Sequence, residues 1–191
     1  MFKKILLFHI ALFFCFIVLA QKKNTILITY YSKTGSTTQL AKSIEKGASE
    51  NNRVRVILKK IEETTEDDLI KADAIILGSP VYNANPAAEV LKFIERWPFE
   101  GGKMKNKIGA VFVTGGGISS GEELVQTSLL HAMMVFGMII VGGDDWKSSF
   151  GASAVTAEGT YTKELNPLFL LKGEQLGKRV QEVVLRWNKK D

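Results

Sequence analysis

One cysteine stands in 191 residues, and it is Cys15, inside the N-terminal segment. Residues 21–191 hold none, which excludes disulfides, thiolate catalysis, haem attachment and Cys-ligated zinc or iron–sulfur sites in that stretch. Histidine is almost as scarce, with His9 in the same segment and His131 further on. That leaves no material for a His-based metal site or a Ser-His-Asp triad; His131 reads as a partly buried structural residue on a helix. No G-x-x-x-x-G-K-[ST] loop is present, and Gly115, Gly117 and Gly121 do not have G-x-G-x-x-G spacing. The formal net charge of +5 is not gathered into a stripe. The nearest cluster, Lys103, Lys105 and Lys107, reads as a solvated loop, so no nucleic-acid partner is expected.

What is present begins with a targeting segment. Phe2-Lys3-Lys4 is a short positive start, Ile5 to Leu19 is apolar apart from His9, and Val18-Leu19-Ala20 precedes Gln21 in the manner of a cleavage site. Residues 1–20 are expected to be a signal peptide cut after Ala20, which exports the chain to the periplasm or outside the cell. The rival is an uncleaved anchor, but the apolar run is short for a bilayer core. Membrane contact follows from the sequence only in that rival case. Residues 21–191 fit one domain, and 46% hydrophobic content suffices for a core.

Along that domain, strands and helices alternate. Thr25-Ile26-Leu27-Ile28 reads as a buried strand, and Leu40, Ile44 and Ala48 recur at helical spacing. Arg53 to Leu58 alternates like a half-exposed edge strand. Thr64 to Ile70 is a capped, acid-led short helix. Ala74 to Gly78 and Ile108 to Val113 are buried strands. Asn85-Pro86 reads as a cap and first turn of a helix that buries Val90, Leu91, Ile94 and Trp97. Ser119 or Ser120 could open a capping box ahead of a helix carrying Leu124, Leu129, Ala132 and Phe136, closed by Gly137. Met138 to Val141 is a fifth strand. Gly143 to Lys163 is a loop too long for a mere connector. The last helix places Leu176, Val180, Val183 and Trp187 on one face. Five β-α units in sequence specify an α/β doubly wound parallel sheet.

In such sheets ligands sit beyond the carboxyl ends of the strands. Three loops meet that condition. The first, Ser32-Lys33-Thr34-Gly35-Ser36-Thr37, holds hydroxyl donors at a helix start, where backbone N–H groups and the helix dipole suit a phosphate; ordinary helix capping explains the same hydroxyls. The second, Pro80-Val81-Tyr82-Asn83 to Asn85, carries an aromatic and two amides. The third, Thr114-Gly115-Gly116-Gly117, lets backbone approach a flat ligand closely. Together they describe a pocket for a phosphate joined to a planar ring. Trp146 and Phe150 either cover that ring or pack the long loop on the core.

These residues resemble a family. Tyr30 to Thr37 is similar to the flavin-phosphate loop of flavodoxin-like proteins. Gly78 to Asn85, and Thr114 to Gly117 with Gly121-Glu122-Glu123, resemble the second and third loops of NAD(P)H:quinone oxidoreductases of the WrbA type. Phe150-Gly151-Ala152-Ser153 and Lys172 to Gly177 are similar as well, and the resemblance covers Thr25 to about Val184. It implies a five-stranded flavodoxin-like sheet in the order 2-1-3-4-5 with non-covalent FMN. Ser32, Lys33, Thr34, Gly35, Ser36 and Thr37 would hold the phosphate. Pro80, Val81, Tyr82 and Asn83 would meet the isoalloxazine on one side, and Thr114, Gly115, Gly116 and Gly117 on the other. Trp97 is the nearest match to a tryptophan that lines the family's substrate site. No catalytic side chain or metal is implied, because FMN carries the chemistry. The implied partners are NAD(P)H and a quinone-like small molecule, and a homo-oligomer is compatible with the sequence. The alternative is an exported flavodoxin-type carrier that serves a redox protein, against which the basic balance argues. A receiver domain of the same topology is set aside, because Tyr31-Ser32 and Ser79-Pro80 stand where acids are needed.

Overall fold

The computed structural model describes residues 23–158 and 164–188. The expected signal peptide and its cleavage point lie outside the described residues. The chain begins with β1 (Asn24–Tyr30), α1 (Ser36–Ala48), β2 (Val54–Lys60), α2 (Glu66–Lys71) and β3 (Ala74–Tyr82). Then come β4 (Asn85–Pro86), α3 (Ala88–Glu95), β5 (Ile108–Gly115) and α4 (Glu122–Val135). It ends with β6 (Ile139–Ile140), β7 (Ala152–Val155) and α5 (Pro167–Trp187).

The parallel sheet runs β2-β1-β3-β5-β6, which is the expected order once the short β4 is set apart. The fifth position differs from expectation. Ile139–Ile140 pairs only with Ile108 and Gly109, and the same side of β5 is completed higher up by Ala152–Val155 against Phe112–Gly115. The long loop thus leaves the sheet and returns to finish its edge. Its Phe150-Gly151-Ala152-Ser153 motif is that return, with Gly151 at φ 119° and no room for a Cβ beside the Val111 carbonyl.

β3 is buried at all but its last two positions and β5 throughout, because helices cover both faces. One core lies under α1 and α5 around Ile26, Ile28, Ile76 and Phe112. The other lies under α2, α3 and α4 around Leu27, Ile75, Leu77 and Val111. The fully buried Phe112 alone removes enough apolar surface to contribute about 2–3 kcal/mol. α1 and α5 approach backbone to backbone: a Cβ on Gly177 would sit 2.0 Å from the Ile44 carbonyl oxygen. The Lys172 to Gly177 motif is therefore a helix-packing device.

Several helix faces are turned from expectation. α3 buries Val90 and Phe93, with Trp97 beyond its end, while Leu91 is exposed. α4 buries Val125, Leu129 and Met133, and exposes Leu124 and His131. α5 buries Leu176, Val180 and Val184 and leaves Trp187 exposed. Each of these helices is apolar in more than one direction, so periodicity alone does not select the face that packs. α2 matches its expected start: Thr65 and Asp68 form a reciprocal capping box.

Candidate functional site

All three loops meet at the carboxyl edge. β1 is joined to α1 through Gly35, whose φ of 100° turns the chain into the helix. The Ser32 hydroxyl oxygen accepts from the N–H groups of Gly35 (3.2 Å) and Thr38 (3.3 Å), folding the loop back over the helix start. Gly35 at the N-cap has no side chain to cap with, and the first turn of α1 holds no acid. By contrast α2, α3 and α4 each carry acids there. The first turn of α1 therefore keeps an unneutralised positive end. Lys33 and Thr34 are exposed beside it, Ser36 is half-buried, and the space beyond Gly35 is open.

The second loop is a hairpin, a correction to the helical start expected at Asn85-Pro86. Val81 pairs with Pro86 and Tyr82 with Asn85, antiparallel. Asn83 and Ala84 take φ of 51° and 59°, the paired left-handed geometry of a tight hairpin turn. That turn sends the chain back extended, so α3 starts only at Ala88. Buried Ser79 fixes the base: its hydroxyl donates to the Pro80 carbonyl and accepts from the Ala87 N–H at 3.0 Å. Tyr82 and Asn83 project from the hairpin exposed.

In the third loop Thr114 and Gly115 are buried in the end of β5, while Gly116 faces open space. α4 is capped by Gly121 at φ 109°, not by either serine; the Ser120 N–H instead donates to the Glu122 carboxylate at 3.0 Å. The chain beyond β7 lies along this loop, with Ala157 N–H donating to Gly116 O at 2.8 Å. Glu158 then accepts from the Ile118 N–H at 2.6 Å and closes over Gly117.

The loops are tied together in pairs. The Thr37 and Thr114 hydroxyls share a buried hydrogen bond of 2.8 Å, joining the first loop to the third. A Cβ on Gly121 would sit 2.7 Å from Ala84 Cα, so the hairpin tip rests on the start of α4. On its other side the hairpin borders a hollow of about 540 Å³ lined by Tyr31, Lys33, Tyr82, Asn85, Glu89 and Leu91 among others. Burial raises the Tyr31 phenol above its ordinary value, and the neighbouring Glu89 carboxylate raises it further. Tyr82 is raised by burial, then by the Glu89 charge. Both phenols stay protonated donors at neutral pH.

Every residue expected at the site lies in one of these three loops, although the Thr37 side chain is spent on Thr114. Trp97 does not join them. It is buried in the core, edge-on to Phe93 and 5.4 Å from Phe136, below the sheet's other edge. Tyr31 and Ser79 lie inside the first and second motifs, but their side-chain roles, like those of Glu89 and Glu158, are not legible in the local pattern.

Open space over Gly35 and Gly116, a helix start without acids and an exposed aromatic hairpin suit a phosphate-bearing planar ring. Fold and site define a flavodoxin-like α/β protein. The model of the NADPH-dependent FMN reductase family matches residues 49–153, and the chain belongs to this family. FMN is its cofactor, it is an FMN oxidoreductase, and the family's partner is a nicotinamide nucleotide. A flavodoxin of Clostridium saccharobutylicum is 34% identical over 119 residues, 62% of this chain and 72% of that one. A flavodoxin of Aquifex aeolicus is 29% identical over 126 residues, 63% and 66% of the two chains. The crystal structure of a flavodoxin, WrbA-like protein from Agrobacterium tumefaciens superposes with a TM-score of 0.72 at 22% identity, covering 87% of this chain and 100% of that one. At that identity the last likeness speaks for the fold.

Proposed function

We propose that the protein is an exported, NAD(P)H-dependent FMN oxidoreductase that delivers two electrons to a quinone or similar small acceptor. FMN supplies the redox chemistry, taking up a hydride and passing electrons on. The chain's residues bind and aim it. The start of α1, with Ser32, Lys33, Thr34, Gly35 and Ser36 and the backbone of Thr37, holds the phosphate. Pro80, Val81, Tyr82 and Asn83 on one side and Thr114, Gly115, Gly116 and Gly117 on the other bracket the ring.

The observation that carries this reading is the open hollow beside Tyr82, which offers a second reactant the Tyr82 phenol and an apolar wall of Pro86 and Leu91. The test is steady-state oxidation of NADH and NADPH by the FMN-loaded chain against a series of quinones. Turnover with at least one is expected; none with any would remove the reading. Cell fractionation tests export, with the protein expected outside the cytoplasm.

A carrier role has one observation in its favour. Exposed Glu62, Glu63, Glu66, Asp67, Glu89 and Glu123 outnumber the exposed Lys33 and Lys60 at the carboxyl edge despite the basic net charge, although Asp67 is paired with Lys71. An acidic rim suits a basic protein partner. Reductive titration separates the two: one two-electron step for the enzyme, two well-separated one-electron steps for the carrier.

A further inference from the structure

The edge opposite the flavin rim has the reverse character. Its connections carry Lys23, Arg53, Arg96, Lys103 and Lys105 against Glu50, Asp73, Glu95 and Glu100, while Lys107 is committed to the Ile70 and Ala72 carbonyls. Of those acids, Asp73 is pinned to the Thr25 N–H at 2.7 Å, and Glu50 is paired with Lys178. The same edge exposes large apolar side chains. Phe99 is 67% exposed, Val135 70% and Met134 53%. Phe99 stands edge-on to Phe136 at 5.7 Å, beside a hollow of about 230 Å³ between Phe99, Lys105 and Val135. Trp187, 57% exposed, reaches this edge as well, since the adjoining Asn188 is bonded to Asn24.

Asn24 is where the N-terminal segment enters the fold. β1, β3 and β5 start in register there, with Ile26 opposite Ala74 and Ala74 opposite Ile108. Two strand spacings put the entry point about 10 Å from the start of β5.

We propose that this edge is a membrane-facing surface that docks on an anionic bilayer, with the flavin rim turned away. Exposed aromatic and aliphatic groups flanked by lysine and arginine are the composition of an interfacial surface. The bases are drawn to anionic headgroups, and the acids of the far rim are repelled by them. Both forces act in the same sense, so charge alone orients the molecule. The proposal concerns this surface and not the flavin chemistry, and it holds whether or not the N-terminal segment is cut.

The test uses the FMN-loaded chain from Gln21, because every core residue lies between Ile26 and Leu185. It is sedimented with phosphatidylcholine vesicles with and without phosphatidylglycerol. Binding is expected only where phosphatidylglycerol is present, and weakening with salt. K103E/K105E is expected to lower vesicle affinity by about thirtyfold or more and F99S/V135S by about tenfold, with far-UV circular dichroism and flavin absorbance unchanged. Equal binding to both vesicles, no binding, or binding that both variants retain overturns the proposal. So does a dimer in sedimentation equilibrium that F99S/V135S splits, which would assign the face to a second copy.

Discussion

The hydroxyls of Thr37 and Thr114 meet at 2.8 Å in a buried site, 77 residues apart in sequence, and tie the first loop to the third. Replacing one with valine leaves the other hydroxyl buried without a partner. T37V and T114V are each expected to cost about 1–2 kcal/mol in urea unfolding. The double variant should lose less than the sum of the two, and a double-mutant cycle measures that coupling. All three should bind FMN more weakly, read by flavin fluorescence.

Gly121 combines φ of 109° with a close approach to Ala84. G121A must strain the backbone and displace the hairpin tip, at about 1–3 kcal/mol. The hairpin and the third loop should part, so FMN affinity falls together with stability. A84G acts in the opposite direction, because Ala84 already sits at φ 59°. It should leave stability unchanged or slightly raised.

Asp68 is the electrostatic anchor of α2. Burial by itself would raise its carboxyl, but the Thr65 N–H, the Lys59 ammonium and the Thr65 hydroxyl together hold it below its ordinary value. The Lys59 contact is 2.9 Å. A lowered folded value means that the stabilisation is complete above the ordinary carboxylate range and is lost as pH falls through the folded value. D68N should therefore destabilise by about 1 kcal/mol at neutral pH, with caps of this kind as the guide. The gap between D68N and the unaltered chain should close in acid, below about pH 4. Unfolding curves across that range check both statements.

Glu89 acts on the Tyr31 and Tyr82 phenols from the first turn of α3. Removing its charge by E89Q should let both ionise at lower pH, read as tyrosinate absorbance in an alkaline titration. The stabilisation carried by a raised phenol is complete below its ordinary value near 10 and is lost as pH rises through the folded value. If the hollow receives the acceptor, E89Q should also change the acceptor KM severalfold while leaving FMN affinity intact.

Much of the architecture was legible from local pattern. Buried strands show as apolar runs in Ala74 to Gly78 and Ile108 to Val113, and α2 shows as a capped, acid-led stretch within Thr64 to Ile70, with the structure assigning the cap to Thr65 and Asp68. The helix faces were less legible, because Leu124, Leu91 and Trp187 fit an apolar stripe as well as the residues that do pack. Asn85-Pro86 suits a helix start and a returning strand alike. Only pairing with Val81 and Tyr82 distinguishes them.

By itself the sequence determined the alternation of strand and helix, and hence the parallel sheet with its ligand edge. It also determined the hydroxyl-rich turn before α1, because turn chemistry and periodicity act between residues close in the chain. Tertiary structure alone decided that Thr37 would be spent on Thr114, that Glu89 would face Tyr31, and that Trp97 would enter the core. It also sorted a modest net charge into an acidic rim and a basic base. Parallel strands put every helix start at one edge and every helix end at the other, and the helix dipoles favour opposite charges at those two ends.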